Sequence, residues 1–248
     1  MTSGGRVAIV WREATVRATV AETARARTLV LDVPGWPGHL AGQHVDLRLT
    51  AEDGYQTQRS YSIASAPERA GVELTVELIE DGEVSPYLVR EVRASDQLEL
   101  RGPIGGYFNW SVADGGPLLL LAGGSGLVPL MAMLRHRAAR GSAVDTRLLV
   151  SIRTLEDLLY SRELADLAGA AGLVVHRTLT RSSPAGWPGF TGRIDAAMIR
   201  AVAPEPGERP RIYICGPTAF VERAANVLVE LGHDPASIRT ERFGPSGI

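Results

Sequence analysis

The first 110 residues alternate apolar and polar positions in short runs. This period-two pattern predicts β-strands at Ala14–Ala21, Thr28–Val33, His44–Leu49, Arg59–Ala64, Val72–Ile79 and Gln97–Leu100. Turn signals separate them: Pro34-Gly35-Trp36-Pro37-Gly38, Asp53-Gly54, the stretch from Glu68 to Gly71, and Asp81-Gly82. About six strands in about 100 residues predict a small antiparallel barrel. One short helix is predicted across Ser85–Val92, with Ser85 as N-cap and Pro86 at the first helical position.

From Pro117 the period changes. Leu118–Leu121 is a short apolar run, and Val128–Arg140 then carries apolar side chains at helical spacing until Gly141 stops it. Further strands are predicted at Arg147–Ile152, Leu173–Thr180 and Arg211–Ile214, with helices near Glu156–Leu167 and Ala219–Leu231. Strand alternating with helix implies a mostly parallel, doubly wound sheet. The chain therefore reads as an N-terminal antiparallel β-barrel over residues 1–112 and a C-terminal α/β doubly wound parallel sheet over residues 113–248, joined through the polar segment Ser111–Gly116. Each half is large enough to bury its own core.

Composition excludes several chemistries. All 26 basic residues are arginine, which removes Schiff-base catalysis and the lysine of a Walker-type phosphate loop. The single Cys215 rules out a disulfide, a four-cysteine zinc site and a cysteine-held iron–sulfur cluster within these residues. With 26 basic against 28 acidic residues the net charge is -2, so no global field draws nucleic acid or an anionic membrane. The segment Met1–Arg6 has no basic leader followed by an apolar stretch, and no run reaches the roughly 18 apolar residues that span a bilayer. The expectation is a cytoplasmic protein without a membrane partner. His39, His44 and the three scattered histidines suggest no metal site, and Ser125 lacks the last glycine of a nucleophile elbow. The cluster Arg135, His136, Arg137 and Arg140 reads as a solvated helix end complementing the dipole, with an acidic docking partner as the alternative.

Three segments carry candidate chemistry. In the first, Leu121-Ala122-Gly123-Gly124-Ser125-Gly126-Leu127-Val128-Pro129 is strand, glycine turn and helix. Glycines allow close backbone approach, and the helix start aims free N–H groups at a pyrophosphate. A tight turn without a ligand is the other reading, since the G-x-G-x-x-G fingerprint is incomplete. After the next strand, Ser151-Ile152-Arg153-Thr154 offers no carboxylate for a ribose, whereas Thr180-Arg181-Ser182-Ser183 offers a guanidinium and hydroxyls suited to a 2′-phosphate. This favours NADPH over NADH, against the alternative of an ordinary surface loop. In the third segment, Arg59-Ser60-Tyr61-Ser62-Ile63, alternation places Arg59, Tyr61 and Ile63 on one strand face and the two serines on the other. An arginine can clamp phosphate, a tyrosine can cover a flat heterocycle and a serine can bond a ring nitrogen; simple barrel packing competes with that reading.

Taken in order, Arg59-x-Tyr61-Ser62, Gly82-x-x-Ser85, Gly123-Gly124-Ser125-Gly126-Leu127-Val128-Pro129, Cys215-Gly216-Pro217 and Glu241-Arg242-Phe243-Gly244 resemble the ferredoxin–NADP reductase family. The similarity runs from about Thr15 to Phe243 and is to bacterial electron-transfer reductases without a fused iron–sulfur domain. It implies that Arg59, Ser60, Tyr61, Ser62, Gly82, Val84 and Ser85 bind the flavin, FAD rather than FMN. It also implies that Gly123, Gly124, Ser125, Gly126, Arg153, Thr180, Arg181, Cys215, Gly216 and Pro217 bind NAD(P)H. Cys215 would lie beside the nicotinamide, Phe243 would cover the flavin, Ser62 would lie near its N5, and Glu241 would be a polar or proton-relay group; these four are the implied catalytic residues. A small buried hydrophobe is the alternative reading of Cys215 on its chemistry alone. The implied activity is hydride transfer from NADPH or NADH to FAD and onward electron transfer to a separate ferredoxin, flavodoxin or oxygenase component. The alternatives are a reductase of free flavin or small oxidants, and a non-catalytic flavin-binding subunit.

Overall fold

The computed structural model describes residues 9–169 and 172–243; the reading of Met1–Arg6 and Gly244 of the last motif lie outside them. Six strands form the N-terminal half: β1 (Trp11–Thr23), β2 (Ala26–Asp32), β3 (His44–Thr50), β4 (Gln56–Ser62), β5 (Val72–Glu77) and β6 (Gln97–Ile104). All their pairings are antiparallel, in the order β4-β3-β6-β1-β2-β5, and an isolated bridge between Ile63 and Leu74 links the outer strands. Alternate residues such as Leu29 and Leu31, Val45 and Leu47, Leu74 and Val76, and Leu98 and Leu100 form the core. Each is worth roughly 1.5–3 kcal/mol relative to exposure.

The helix predicted from Ser85 is a short π-turn at Tyr87–Glu91, and Ser85 does not cap it. Its Oγ instead accepts from Ile79 N at 3.0 Å and donates to Ile79 O at 3.3 Å, tying the turn to the chain leaving β5.

The second half alternates as the sequence predicts: β7 (Leu118–Gly123), α1 (Leu127–Ala139), β8 (Thr146–Ile152), α2 (Ser161–Ala168), β9 (Leu173–Leu179), β10 (Phe190–Thr191), α3 (Ala196–Val202), β11 (Arg211–Pro217), α4 (Thr218–Glu230) and β12 (Ile238–Phe243). The sheet is parallel, ordered β10-β9-β8-β7-β11-β12. Strand order reverses between β7 and β11, the crevice where such sheets take ligands. Leu118 and Leu120 pack toward α1 and α2, while Leu119 and Leu121 pack toward α3 and α4, so β7 is apolar throughout because both faces are covered. The last strand of the antiparallel sheet ends at Ile104 and the first of the parallel sheet begins at Leu118.

Three further sequence readings change. The helix expected over Glu156–Leu167 is split, because Thr154 and Asp157 close a single turn reciprocally and Tyr160 adopts a left-handed backbone (φ 54°) before α2. The elements β10, α3 and β12 were not expected; β12 reads Ile-Arg-Thr-Glu-Arg-Phe, an edge strand whose polar positions hide its period. The basic cluster is not a solvated face. Arg135 and His136 lie in the seam with the barrel, where His136 Nδ1 meets Glu68 at 2.8 Å, Val112 N donates to His136 Nε2 at 3.2 Å, and the imidazole stacks edge-on against Trp110; Arg137 is buried within its own half, its Nε donating to Val144 O at 3.0 Å, and of the four only Arg140 is exposed. Nearly all sides of α1 are buried, between its own sheet and the barrel, which is why its pattern showed no clear polar stripe.

Candidate active site between barrel and sheet

Where the two halves meet, a cleft of about 880 Å³ opens, a size suited to a large cofactor. Its barrel wall is β4, from Arg59 to Ser62, with Gly82 to Ser85 beside it; its opposite wall is Ser125 and Val128 at the start of α1 and Arg242 and Phe243 at the end of β12. Nine of the residues singled out in the sequence thus meet in one cavity: Arg59, Ser60, Tyr61, Ser62, Gly82, Val84, Ser85, Ser125 and Phe243. Thr75, Glu77, Ile79, Asp81, Glu83, Val128 and Arg242 also line it and were missed. Of these, Thr75 and Glu77 stand at alternate positions of β5, a signal readable once β5 is known to flank the cleft.

Both strand faces of β4 contribute. Ser62 is buried, and burial pushes the Tyr61 phenol well above its ordinary value, so it stays neutral. Arg59 remains partly exposed, with Nη2 3.1 Å from Glu83 Oε2. Gly82 is a close-packed position: a Cβ there would lie 3.1 Å from both Ile79 O and Ser85 Oγ.

The glycine turn and Cys215-Gly216-Pro217 pack against each other at the switch point. A Cβ on Gly126 would sit 2.1 Å from Cys215 O, and one on Gly216 would sit 2.9 Å from Gly123 Cα, so the close approach requires glycine at both. Register places Cys215 beside Glu241, and the thiol donates to Glu241 Oε2 at 3.9 Å. Burial pushes the thiol well up, reinforced by the Glu241 charge, so Cys215 is a thiol and not a reactive thiolate. Burial also raises the Glu241 carboxyl to about 7, partly opposed by the bond from Cys215. Glu241 Oε1 lies 4.0 Å from Nδ1 of His44, which is the register partner of Ser62 on the neighbouring strand, so the carboxylate touches both halves.

Arg153, Thr180 and Arg181 stand apart from this cleft but together with one another. Arg181 N donates to Arg153 O at 3.0 Å and Thr180 Oγ1 to Ile152 O at 3.1 Å. Neither guanidinium has a protein partner among the described residues, a setting suited to an external anion. Among the described residues no group of His, Cys, Asp and Glu could hold a metal ion, and no helix is long and apolar enough to cross a membrane.

The oxidoreductase FAD-binding domain family matches residues 14–109, and the oxidoreductase NAD-binding domain family matches residues 120–226. Fold and site thus define a two-domain oxidoreductase class, one half for FAD and one for a nicotinamide nucleotide. Ferredoxin–NADP reductase B of Sorangium cellulosum is 33% identical over 210 residues, covering 82% of this chain and 84% of that protein. The glycine betaine monooxygenase reductase subunit of Chromohalobacter salexigens is 33% identical over 207 residues, covering 82% of this chain. The chain spans 55% of that relative's length. Among solved structures, the FAD/NAD-binding domain of nitric oxide dioxygenase from Vibrio cholerae superposes with a TM-score of 0.84 at 26% identity, covering 94% of this chain and 99% of that one. The chain belongs to the ferredoxin–NADP reductase family.

Proposed function

We propose that this chain takes a hydride from NADPH onto bound FAD and hands electrons to a separate protein acceptor, an oxygenase component or a ferredoxin. The observation that supports it most is the single cleft uniting β4, the Gly82–Ser85 turn, the glycine turn and the end of β12. When bound, the flavin accepts two electrons together and releases them singly. The protein's part is to bind, orient and exclude water. Arg59 and the N–H groups at Gly82, Val84 and Ser85 hold the flavin pyrophosphate; Ser60 and Tyr61 line the ring, and Ser62 offers a buried hydroxyl to it. Gly123, Gly124, Ser125 and Gly126 receive the nucleotide pyrophosphate, while Cys215, Gly216 and Pro217 form the floor for the nicotinamide. Arg153, Thr180 and Arg181 take the 2′-phosphate. Phe243 covers the exposed flavin face and yields it to the nicotinamide. Glu241 holds a proton at its carboxyl below neutral pH.

The named relatives support a protein acceptor: one is a ferredoxin–NADP reductase and another the reductase subunit of a monooxygenase. The single cysteine leaves no cluster within these residues to receive the electrons. The cytoplasm, where reduced nicotinamide is supplied, is the setting this reading requires. The test is anaerobic stopped-flow reduction of the bound flavin by NADPH and by NADH, repeated with Arg181→Ala. Fast bleaching by NADPH, with preference for it reduced roughly tenfold or more in the variant, is expected. Colourless protein that takes up neither FAD nor FMN overturns the reading, and an unchanged preference removes the 2′-phosphate assignment.

A further inference from the structure

Between the two halves, away from the groups just assigned, lie two polar connections made by buried side chains. Arg135, on α1 seven residues after the cleft residue Val128, is the first. Its Nη1 donates to Ala64 O and to Glu73 Oε2, each at 2.9 Å, both on the barrel; its Nε and Nη2 take both oxygens of Glu163 on α2 at 2.8 and 2.6 Å. The Arg135 and Glu73 side chains are 13% and 6% exposed, so the contact that crosses to the barrel is a desolvated ion pair and not a surface one, while the two-point contact on the same guanidinium goes to the more exposed Glu163.

The second is Tyr160, over whose ring the Arg135 guanidinium lies at 5.0 Å. Tyr160 N donates to Glu22 Oε2 at 3.2 Å, and its hydroxyl donates to Thr75 Oγ1. Thr28 Oγ1 donates to Glu22 Oε1 at 2.7 Å, so in its 2.7 Å bond with Thr75 it must accept. Every hydroxyl proton then has one direction, Tyr160 to Thr75 to Thr28 to Glu22, and the ring closes at the Tyr160 N–H. A left-handed tyrosine costs of order 1–3 kcal/mol and persists only where its surroundings over-determine it; here both ends of the residue are held by the barrel. Thr75 itself lines the cleft.

We propose that Arg135 and Tyr160 are positioning residues that clasp the nucleotide half onto the flavin barrel and set the register in which the nicotinamide meets the flavin. The proposal rests on the hydride-transfer reading above. Tyr160 ends the segment after β8 that carries Arg153 and Thr154, and it anchors that segment to the strand whose Thr75 and Glu77 face the cleft. Arg135 does the same for the helix that begins at the glycine turn. Loosening either contact lets the two walls of the cleft shift relative to each other while leaving every group that touches a cofactor chemically unchanged.

The test uses the FAD-loaded full chain with Tyr160→Phe, Arg135→Ala and Arg135→Lys. Tyr160→Phe removes one hydroxyl and keeps the ring under Arg135, so it remains informative if Arg135→Ala does not fold. Flavin content and NADPH dissociation constant should change less than about threefold. The rate of flavin reduction should fall roughly tenfold in Tyr160→Phe and about a hundredfold in Arg135→Ala, the scale expected of an ångström-sized misplacement. Arg135→Lys should recover part of that loss. The long-wavelength absorbance of stacked flavin and nicotinamide should weaken in step. The cofactor-free protein gives an independent reading: Arg135→Ala should unfold in two thermal transitions where the parent unfolds in one. Reduction rates and stacking absorbance within twofold of the parent, accompanied only by a lower Tm, would overturn the proposal and leave a structural seam. A parent protein that holds flavin and is not bleached by NADPH would instead remove the hydride-transfer reading; the proposal then falls with it, whatever the unfolding shows.

Discussion

At Glu241, burial beside Cys215 raises the carboxyl to about 7 from an unfolded value near 4.5. The folded chain therefore binds a proton that the unfolded chain has lost between those two pH values. Stability from this group is full below about pH 4.5 and declines as pH rises toward 7, by about 3 kcal/mol across the window. Glu241→Gln should flatten that slope, and urea titrations at pH 5 and pH 7.5 measure it. If the group also relays protons, the same variant should remove a pH-dependent limb near 7 from the flavin-reduction rate. Arg59 poses a different problem, since its partner Glu83 is part of the protein. Arg59→Ala removes a charge-assisted contact worth roughly 1.5–3 kcal/mol, so FAD affinity should fall about 10- to 100-fold by fluorescence titration. Affinity equal to the parent would show that the pyrophosphate lies elsewhere. Residue type in a short motif identified Arg59, Tyr61 and Ser62. Nothing local identified His44 as a neighbour of the site, because it reaches Glu241 from another segment, and Glu83, though inside the Gly82–Ser85 motif, shows its pairing with Arg59 only in the fold.

Among the elements, the turn from β7 into α1 separates two uses of glycine. Gly124 has φ 55° with open space at its Cβ position, so Gly124→Ala should cost about 1 kcal/mol of backbone strain. Gly126 faces Cys215 O at 2.1 Å from where a Cβ would sit, and relief requires β11 to move. Gly126→Ala should therefore lose more than about 3 kcal/mol or yield no folded protein; equal costs in chemical denaturation would contradict this account. Strong elements were legible from their period: the barrel strands, β7, α1, β8, β9, β11 and α4. Those that were not legible had their local pattern overridden. The β10 strand is two residues long, β12 is a polar edge strand, and the helix expected after β8 is divided by a left-handed tyrosine whose hydrogen bonds come from the barrel. Helix α1 misled in the opposite sense, since its basic end is buried by contacts from Glu68 and Glu73, more than sixty residues earlier.

For the whole molecule, a cofactor that binds only the folded state adds stability by mass action, about 2.7 kcal/mol at a free concentration one hundred times its dissociation constant. Stripping FAD should lower the Tm by about 5–10 °C for a chain of this length, read by calorimetry before and after re-addition. No shift on re-addition would mean that the cleft does not take FAD. The net charge of -2 with interspersed arginine and acid gives no long-range field, so any docking of an acceptor relies on local pairs. The change from strand-only to strand-and-helix pattern, and the motif residues of β4, the glycine turn and the Cys215 turn, are determined along the chain itself, because period, glycine and turn chemistry act over a few residues. What the tertiary structure alone decided is how the halves face each other. The cleft's second wall, the His44–Glu241 approach, the buried Arg135 pairs and the Tyr160 ring each join residues distant in sequence, and such pairs acquire their meaning only when folding removes water from between them.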